Sequence, residues 1–325
     1  MVSDILIMEF KFQNFKIREK YLDKKYLIKK AKDIFLYDIY DGRFYDLQRN
    51  SNILGHSYKK LTSLVKNDIS SKWNISGNTV YHYRMKKIFE KLFSPDYHLS
   101  ASFSLHEFIL SLNNYSINNS YNLKFKGERF KLWLEEKCNI IKKDKENLQK
   151  NIIIYDMAEI FLRAEGDYNK FNDLVKNLKK EEITVFNYFW YPYLDLNIDN
   201  ADIIILPEIY SGNFNFSLIL FNKNMKNYNQ LCIDVEYIPS LYIASSLKMY
   251  YLIRRIKTEK KINLKWNNFI QARRLFSYKD INEYENIIDN YFNKNIILSK
   301  DPPYYNYLPL VLQDYQVKYL SKIIV

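Results

Sequence analysis

Between Asn151 and Val235 the chain alternates short apolar runs with one amphipathic helix pattern, and no other stretch narrows the choice of fold so far. NIIIY (151–155) is too short for a helix and apolar almost throughout, the mark of a strand covered on both faces. Phe171, Leu174, Val175 and Leu178 then recur at i, i+3, i+4, i+7 and predict a helix with one apolar stripe. ITVFNYF (183–189), ADIIIL (201–206), FNFSLILF (214–221) and QLCIDV (230–235) follow as further strands. Strand, helix, strand and then closely spaced strands predict an α/β fold: a mixed sheet with an antiparallel edge, flanked by helices.

Around this centre the patterns are mainly helical. The first fifty residues, with Tyr21, Tyr26, Leu27 and Ala31 set among lysines, read as a charged helical extension over 1–53. SYKKLTSLVKNDISSK (57–72) predicts an amphipathic helix, and GNTVYHYRMKKIFEKL (77–92) a strand that starts at Thr79 and runs into a helix carried by Met85, Ile88, Phe89 and Leu92. Cofactor-binding folds place glycines at such a join, because only backbone without side chains lets a nucleotide approach closely; here His82, Tyr83 and Arg84 stand instead. SLNNYSINNSYN (111–122) predicts a surface loop or short strands, and from Ser240 onward Met249, Leu252, Ile253 and Ile256 set a helical register.

Several classes of function are excluded by what the sequence lacks. Two cysteines, Cys138 and Cys232, build no disulfide framework, and none of the four histidines has a second ligand at metal-binding spacing. No apolar run approaches the ~20 residues of a membrane span, and the N-terminus has no signal-peptide core, so a reducing compartment and no membrane are expected. No phosphate-binding P-loop, G-x-S-x-G or H-E-x-x-H occurs. KDPPYYNY (300–307) carries the Asp-Pro-Pro-Tyr of amino-group DNA methyltransferases without the glycine loop that must accompany it, and reads as a proline turn.

Charge points toward an anionic partner. Between Leu247 and Lys279 stand ten lysines and arginines against one acid, Glu259, interleaved with Tyr250, Tyr251, Trp266, Phe269 and Phe276. Cations beside rings suit a phosphate backbone with splayed bases, and Arg254, Arg255, Lys257, Lys260, Lys261, Arg273 and Arg274 are the candidate RNA contacts.

The order of the pieces resembles one family. GHSYKKLTSL (55–64), SGNTVYHY (76–83), LHEFILSLNNYSI (105–117), NADIIILPEIYSGN (200–213), KMYYLIRRI (248–256), NFIQARRLF (268–276) and LVLQDYQVKYLSKII (310–324) are similar, in sequence order, to segments of the poxvirus poly(A) polymerase small subunit, which is also the cap-specific mRNA nucleoside-2'-O-methyltransferase. That resemblance implies a methyltransferase-like, Rossmann-type mixed sheet over 54–325 with helical extensions at both ends. It implies S-adenosylmethionine as cofactor at a join that here holds Tyr81 and Tyr83, where side chains as large as Tyr83 and Arg84 would fill the donor's volume.

Piece by piece, the family's catalytic set falls on Lys60, Glu136, Arg163 and Asp202, with Tyr168 as the cap-stacking ring. Arg163 stands where a lysine would act as a base, and guanidinium cannot accept a proton. The function implied is viral mRNA processing in host cytoplasm or virion: holding single-stranded or capped RNA for a poly(A) polymerase catalytic subunit bound as a heterodimer partner, with methyl transfer weakened. The alternative expectation is a structural RNA-binding protein of the organellar ribosomal type.

Overall fold

The structure, a computed structural model, describes residues 28–40, 42–48, 53–72, 79–93, 96–138, 150–211, 214, 216–225, 228–255, 262, 264 and 266–323. In chain order its strands and helices are β1 (Ile28–Lys32), β2 (Phe35–Asp38), β3 (Arg43–Asp46), α1 (Lys59–Lys72), α2 (Val80–Leu92), β4 (Tyr97–Ser102), α3 (Leu105–Asn118), β5 (Tyr121–Lys126), α4 (Glu128–Trp133), β6 (Lys150–Asp156), α5 (Met157–Arg163) and α6 (Tyr168–Lys176). There follow β7 (Ile183–Asn187), β8 (Ile203–Ile205), β9 (Ser217–Asn222), β10 (Ile233–Asp234), α7 (Ser240–Arg255), β11 (Phe269–Ala272), β12 (Leu275–Tyr278), α8 (Tyr284–Asn293), β13 (Ile296–Ile297), β14 (Tyr305–Tyr307) and α9 (Asp314–Ile323).

The central sheet has seven strands in the order β10-β4-β9-β8-β7-β6-β5. Neighbours from β5 to β8 are parallel, and β9 runs against both β8 and β4. β6, β7 and β8 carry buried residues on successive positions because helices cover both faces, which is why they read as unbroken apolar runs.

From β4 the chain crosses the whole sheet through α3 to the far edge at β5, then steps back one strand at a time to β9. A Rossmann-type sheet instead starts its first strand at the centre and reverses direction there. The expected methyltransferase-like sheet is therefore not what forms, and the expected antiparallel edge is incomplete as a description. The long antiparallel strand, β9, lies inside the sheet, and only the two-residue β10 stands antiparallel at the rim.

A second core lies beside this sheet. Ile34, Tyr45 and Leu47 from the start of the described chain pack with Trp266, Phe276, Tyr278, Tyr291 and Leu298 from its last quarter. β3 pairs parallel with β13, matching Tyr45 to Ile296, and β11, β12 and β14 form a separate three-stranded sheet. β1, β2 and β3 lie in a stretch expected as part of a helical extension, and they are strands. NFIQARRLF, read as a late helix, is a two-residue hairpin with Arg273 at its turn in the left-handed region, φ +57. SLNNYSI lies within α3 instead of a loop. Residues 1–27, expected as the first part of that helical extension, lie outside the described residues.

The join that opens α2 is not a strand. Thr79 is the N-cap: its hydroxyl accepts the Tyr81 N–H (3.3 Å), and His82 Nδ1 accepts the Thr79 N–H (3.3 Å), a capping box. His82 is buried, and its Nε2–H donates to the Ile238 carbonyl at 2.9 Å, which leaves Nδ1 free to accept. With His82, Met85 and Phe89 inward at i, i+3, i+7, the 3.6-residue period overrides the β-branched start. Thr79→Ala removes one half of the box and is expected to cost about 1 kcal/mol in urea unfolding.

Candidate functional site

In open α/β sheets ligands bind outside the carboxyl ends of the parallel strands, so those ends are where a site is sought. Here they bring together Gly127 and Arg129 after β5, Asp156 and Glu159 after β6, and Asn187 with Trp190 after β7. The smaller unit, made of the three-stranded sheet and the second core behind it, contributes the β12 backbone and, from β14, Tyr305, whose ring packs in the larger core.

Asp156 ends β6 and caps α5: its Oδ1 accepts the Ala158 N–H at 3.1 Å, and Oδ2 accepts the Tyr305 hydroxyl at 2.6 Å. The residue is 1% exposed. Burial pushes its carboxyl up to about 7, the Glu159 carboxylate adds to the rise, and the Tyr305 hydroxyl and the helix N–H groups oppose it. Glu159, also buried, receives Arg163 Nη2 at 2.6 Å on one oxygen and the Arg129 N–H at 3.4 Å on the other. Arg129 spends its guanidinium on the smaller unit, Nε to Ser277 Oγ (2.9 Å) and Nη2 to the Tyr278 carbonyl (2.8 Å).

Gly127 makes this approach possible. At φ +128 a Cβ there would stand 2.8 Å from Asp156 Cβ and 3.3 Å from Glu159 Oε2. Rings close the remaining space. Trp190 lies 5.4 Å from both Phe130 and Trp133 and 6.0 Å from Tyr305, centroid to centroid. The Tyr307 hydroxyl donates to the Trp190 carbonyl.

The residues expected to form a catalytic set do not converge. Lys60 is exposed on α1, Glu136 is exposed on the π-helical turn Leu134–Cys138, and Arg163 pairs with Glu159. Asp202 sits at the opposite, amino end of the strands, where Oδ2 accepts the Thr184 N–H at 2.8 Å. Tyr83 does not plug a cofactor pocket: it is 58% exposed, with Lys87 Nζ 4.6 Å from its ring centroid, and Tyr81 beside it is half-buried.

Two expected contacts do meet, Tyr168 and Arg273, whose guanidinium lies 4.1 Å over the ring while Nε donates to the Gly166 carbonyl at 2.8 Å. That pairing anchors the β11–β12 turn. Arg274 is buried, donating to the Pro309 carbonyl at 2.5 Å, and Arg254 is exposed on α7. Arg255 ends α7, its side chain undescribed, and Lys257, Lys260 and Lys261 lie outside the described residues.

The sequence reading missed Gly127, Arg129, Asp156, Glu159 and Tyr305. An acid closing the apolar run of β6 just before a helix was the available signal. The Asp-Pro-Pro segment is a turn, as expected, and it delivers Tyr305. Among the described residues no group of three or more His, Cys, Asp or Glu side chains is placed to hold a metal, and no helix is long and apolar enough to cross a membrane.

No protein-family model matches the sequence, and no curated protein is detectably similar to it. Solved structures do match in shape. The fold is that of the pyridoxal-phosphate-dependent aminotransferases. Ornithine δ-aminotransferase of Plasmodium falciparum superposes with a TM-score of 0.61 at 14% identity, covering 92% of each chain. Ornithine aminotransferase of Toxoplasma gondii, with partial occupancy of PLP at its active site, gives 0.62 at 10% identity, over 95% of this chain and 92% of that one. N-acetylornithine aminotransferase of Stenotrophomonas maltophilia gives 0.58 at 12%, over 95% and 96%.

These likenesses, all under 25% identity, show the fold, and they overturn the resemblance to the poly(A) polymerase small subunit. With it go the cap methyltransferase and polyadenylation roles and S-adenosylmethionine as cofactor; the neighbours are pyridoxal-phosphate enzymes. The ribosomal-type alternative gains no support from them either.

Two outcomes test the site. Because the folded Asp156 carboxyl lies above its ordinary range of about 4, its ionisation penalty is absent below that pH and grows as pH rises toward 7. Stability of the native sequence should therefore fall, relative to Asp156→Asn, by up to about 1.4 kcal/mol per pH unit in that window; parallel unfolding profiles would refute it. Gly127→Ala should cost roughly 1–3 kcal/mol in denaturant unfolding, from the backbone conformation and the Asp156 clash.

Proposed function

We propose that this chain is an aminotransferase-fold protein that does not transfer amino groups and works by binding. One observation carries the reading: Tyr305 reaches from the smaller unit and occupies the outward oxygen of Asp156 at 2.6 Å.

Pyridoxal phosphate supplies an electron sink, and an enzyme that uses it needs a lysine amine to hold it and a group such as aspartate at the ring nitrogen. Asp156 has the right chemistry for the second role. The space in front of it is taken, however, by the Tyr305 ring backed by Trp190, with Phe130 and Trp133 behind. Among the described residues no lysine is buried. The buried guanidiniums that could meet a phosphate, Arg129 and Arg274, donate to Ser277, Tyr278, Leu308 and Pro309. The residues present do not fit the cofactor.

What remains is a two-unit body clamped across the strand ends. Most of its polar groups at that seam serve the joint, while Asn187 Nδ2 and Arg274 Nε are buried without a partner. Such a body suits a partner or scaffold role in which surface, not cleft, makes the contacts.

Purified full chain should show no stoichiometric adduct by intact mass after pyridoxal phosphate and borohydride treatment, and no amino transfer from a panel of amino donors to keto acids. One modified lysine together with turnover would overturn the reading.

A further inference from the structure

We propose that the groove between α2 and α7 is a docking site for an acidic amphipathic helix of another protein. The inference does not depend on the chemistry of the cleft.

The two helices pack side by side and leave a groove of about 790 Å³ between them. Its floor is apolar and ring-lined: Ile88 and Leu92 from α2, Tyr250 and Tyr251 from α7. Leu92 is 43% exposed and Tyr251 45%, large apolar surface turned to water on one face. The rim is cationic, with Lys87, Lys91 and Arg254 against Glu90 alone. Arg84, exposed on the same helix, extends the row at i, i+3, i+7 with Lys87 and Lys91.

The rim cations differ in their pairing from a neighbour on α2. Lys86, one residue earlier, bonds Glu236 and lies 3.9 Å from Asp234. Among the described residues Lys87, Lys91 and Arg254 have no carboxylate within ion-pair distance; Lys87 lies over the Tyr83 ring and Arg254 Nη1 meets the Tyr250 hydroxyl at 3.4 Å.

An apolar floor between cationic rails fits a helix that is apolar on one side and acidic on its flanks. A nucleic acid fits it less well. Stacked bases need open ring faces, and Tyr250 is 5% exposed with its ring stacked on Tyr210, while Ile88 and Leu92 offer nothing to phosphate.

The test is a selection of displayed random peptides on the immobilised full chain, after depletion on the Lys87→Glu/Arg254→Glu variant. Recovered sequences should be enriched in Asp and Glu with Leu, Ile or Phe at helical spacing. A labelled synthetic copy of one should bind the native chain by fluorescence anisotropy, weaken as salt rises, and bind roughly tenfold more weakly to the charge variant and to Leu92→Ser. All these positions are on the surface, so melting temperatures should match that of the native chain. Peptides without acidic enrichment, or equal binding to the variants, would overturn the proposal. Tighter binding of a single-stranded oligonucleotide that the same charge variant abolishes would assign the face to nucleic acid and overturn it too.

Discussion

A carboxyl group taken wholly out of water has to find hydrogen-bond partners or stay protonated, and Asp156 makes that demand at the middle of this protein. Its own helix meets half of it, through the Ala158 N–H. The other half comes from Tyr305, a residue 149 positions later that belongs to the smaller unit. Around this bond the remaining seam is organised. Arg129 reaches outward to Ser277 and Tyr278, the Tyr193 hydroxyl accepts the Arg274 N–H, and Arg273 lies over Tyr168. Separating the two units would strand several buried polar groups at once, so they behave as one body.

The composition explains why the strand ends are closed. Thirty tyrosines and 21 phenylalanines against six glycines leave few positions where backbone alone could line a cleft. Rings of that size pack edge to face and fill volume, as Phe130, Trp133, Trp190 and Tyr305 do here. Gly127 is the exception that makes the rule visible: its missing side chain admits the acid pair of this protein, not a ligand.

The central strands were legible because burial on both faces leaves unbroken apolar runs at short, regular intervals. Their order was not, since every residue of β6, β7 and β8 would look the same in another sheet with the same neighbours. That is also why the resemblance to the poly(A) polymerase subunit misled: its pieces were short apolar runs and amphipathic helices, which many α/β sheets share, in a sequence rich in Ile, Tyr and Lys. β1 was hidden by its lysines, which a short exposed strand tolerates, and β2 and β3 by being only four residues long. The β11–β12 hairpin was hidden because its turn uses Arg273 at positive φ, where glycine or asparagine would have announced it. Of the candidate site, Asp156 was legible in principle from its place after an apolar strand. Tyr305 was not, since its role depends on a fold-level contact between distant segments.

The pairing of β3 with β13 carries a kinetic consequence. Gln48, just past β3, meets the Leu298 carbonyl across 250 positions of sequence, and β4 likewise waits for β9 before its inner edge is covered. Contacts this remote are entropically late, so the chain should mature slowly, with the outer edge of β3 and the inner edge of β4 unmatched while synthesis proceeds. Exposed strand edges in that interval are the places where a nascent copy is most open to a chaperone or to another nascent copy.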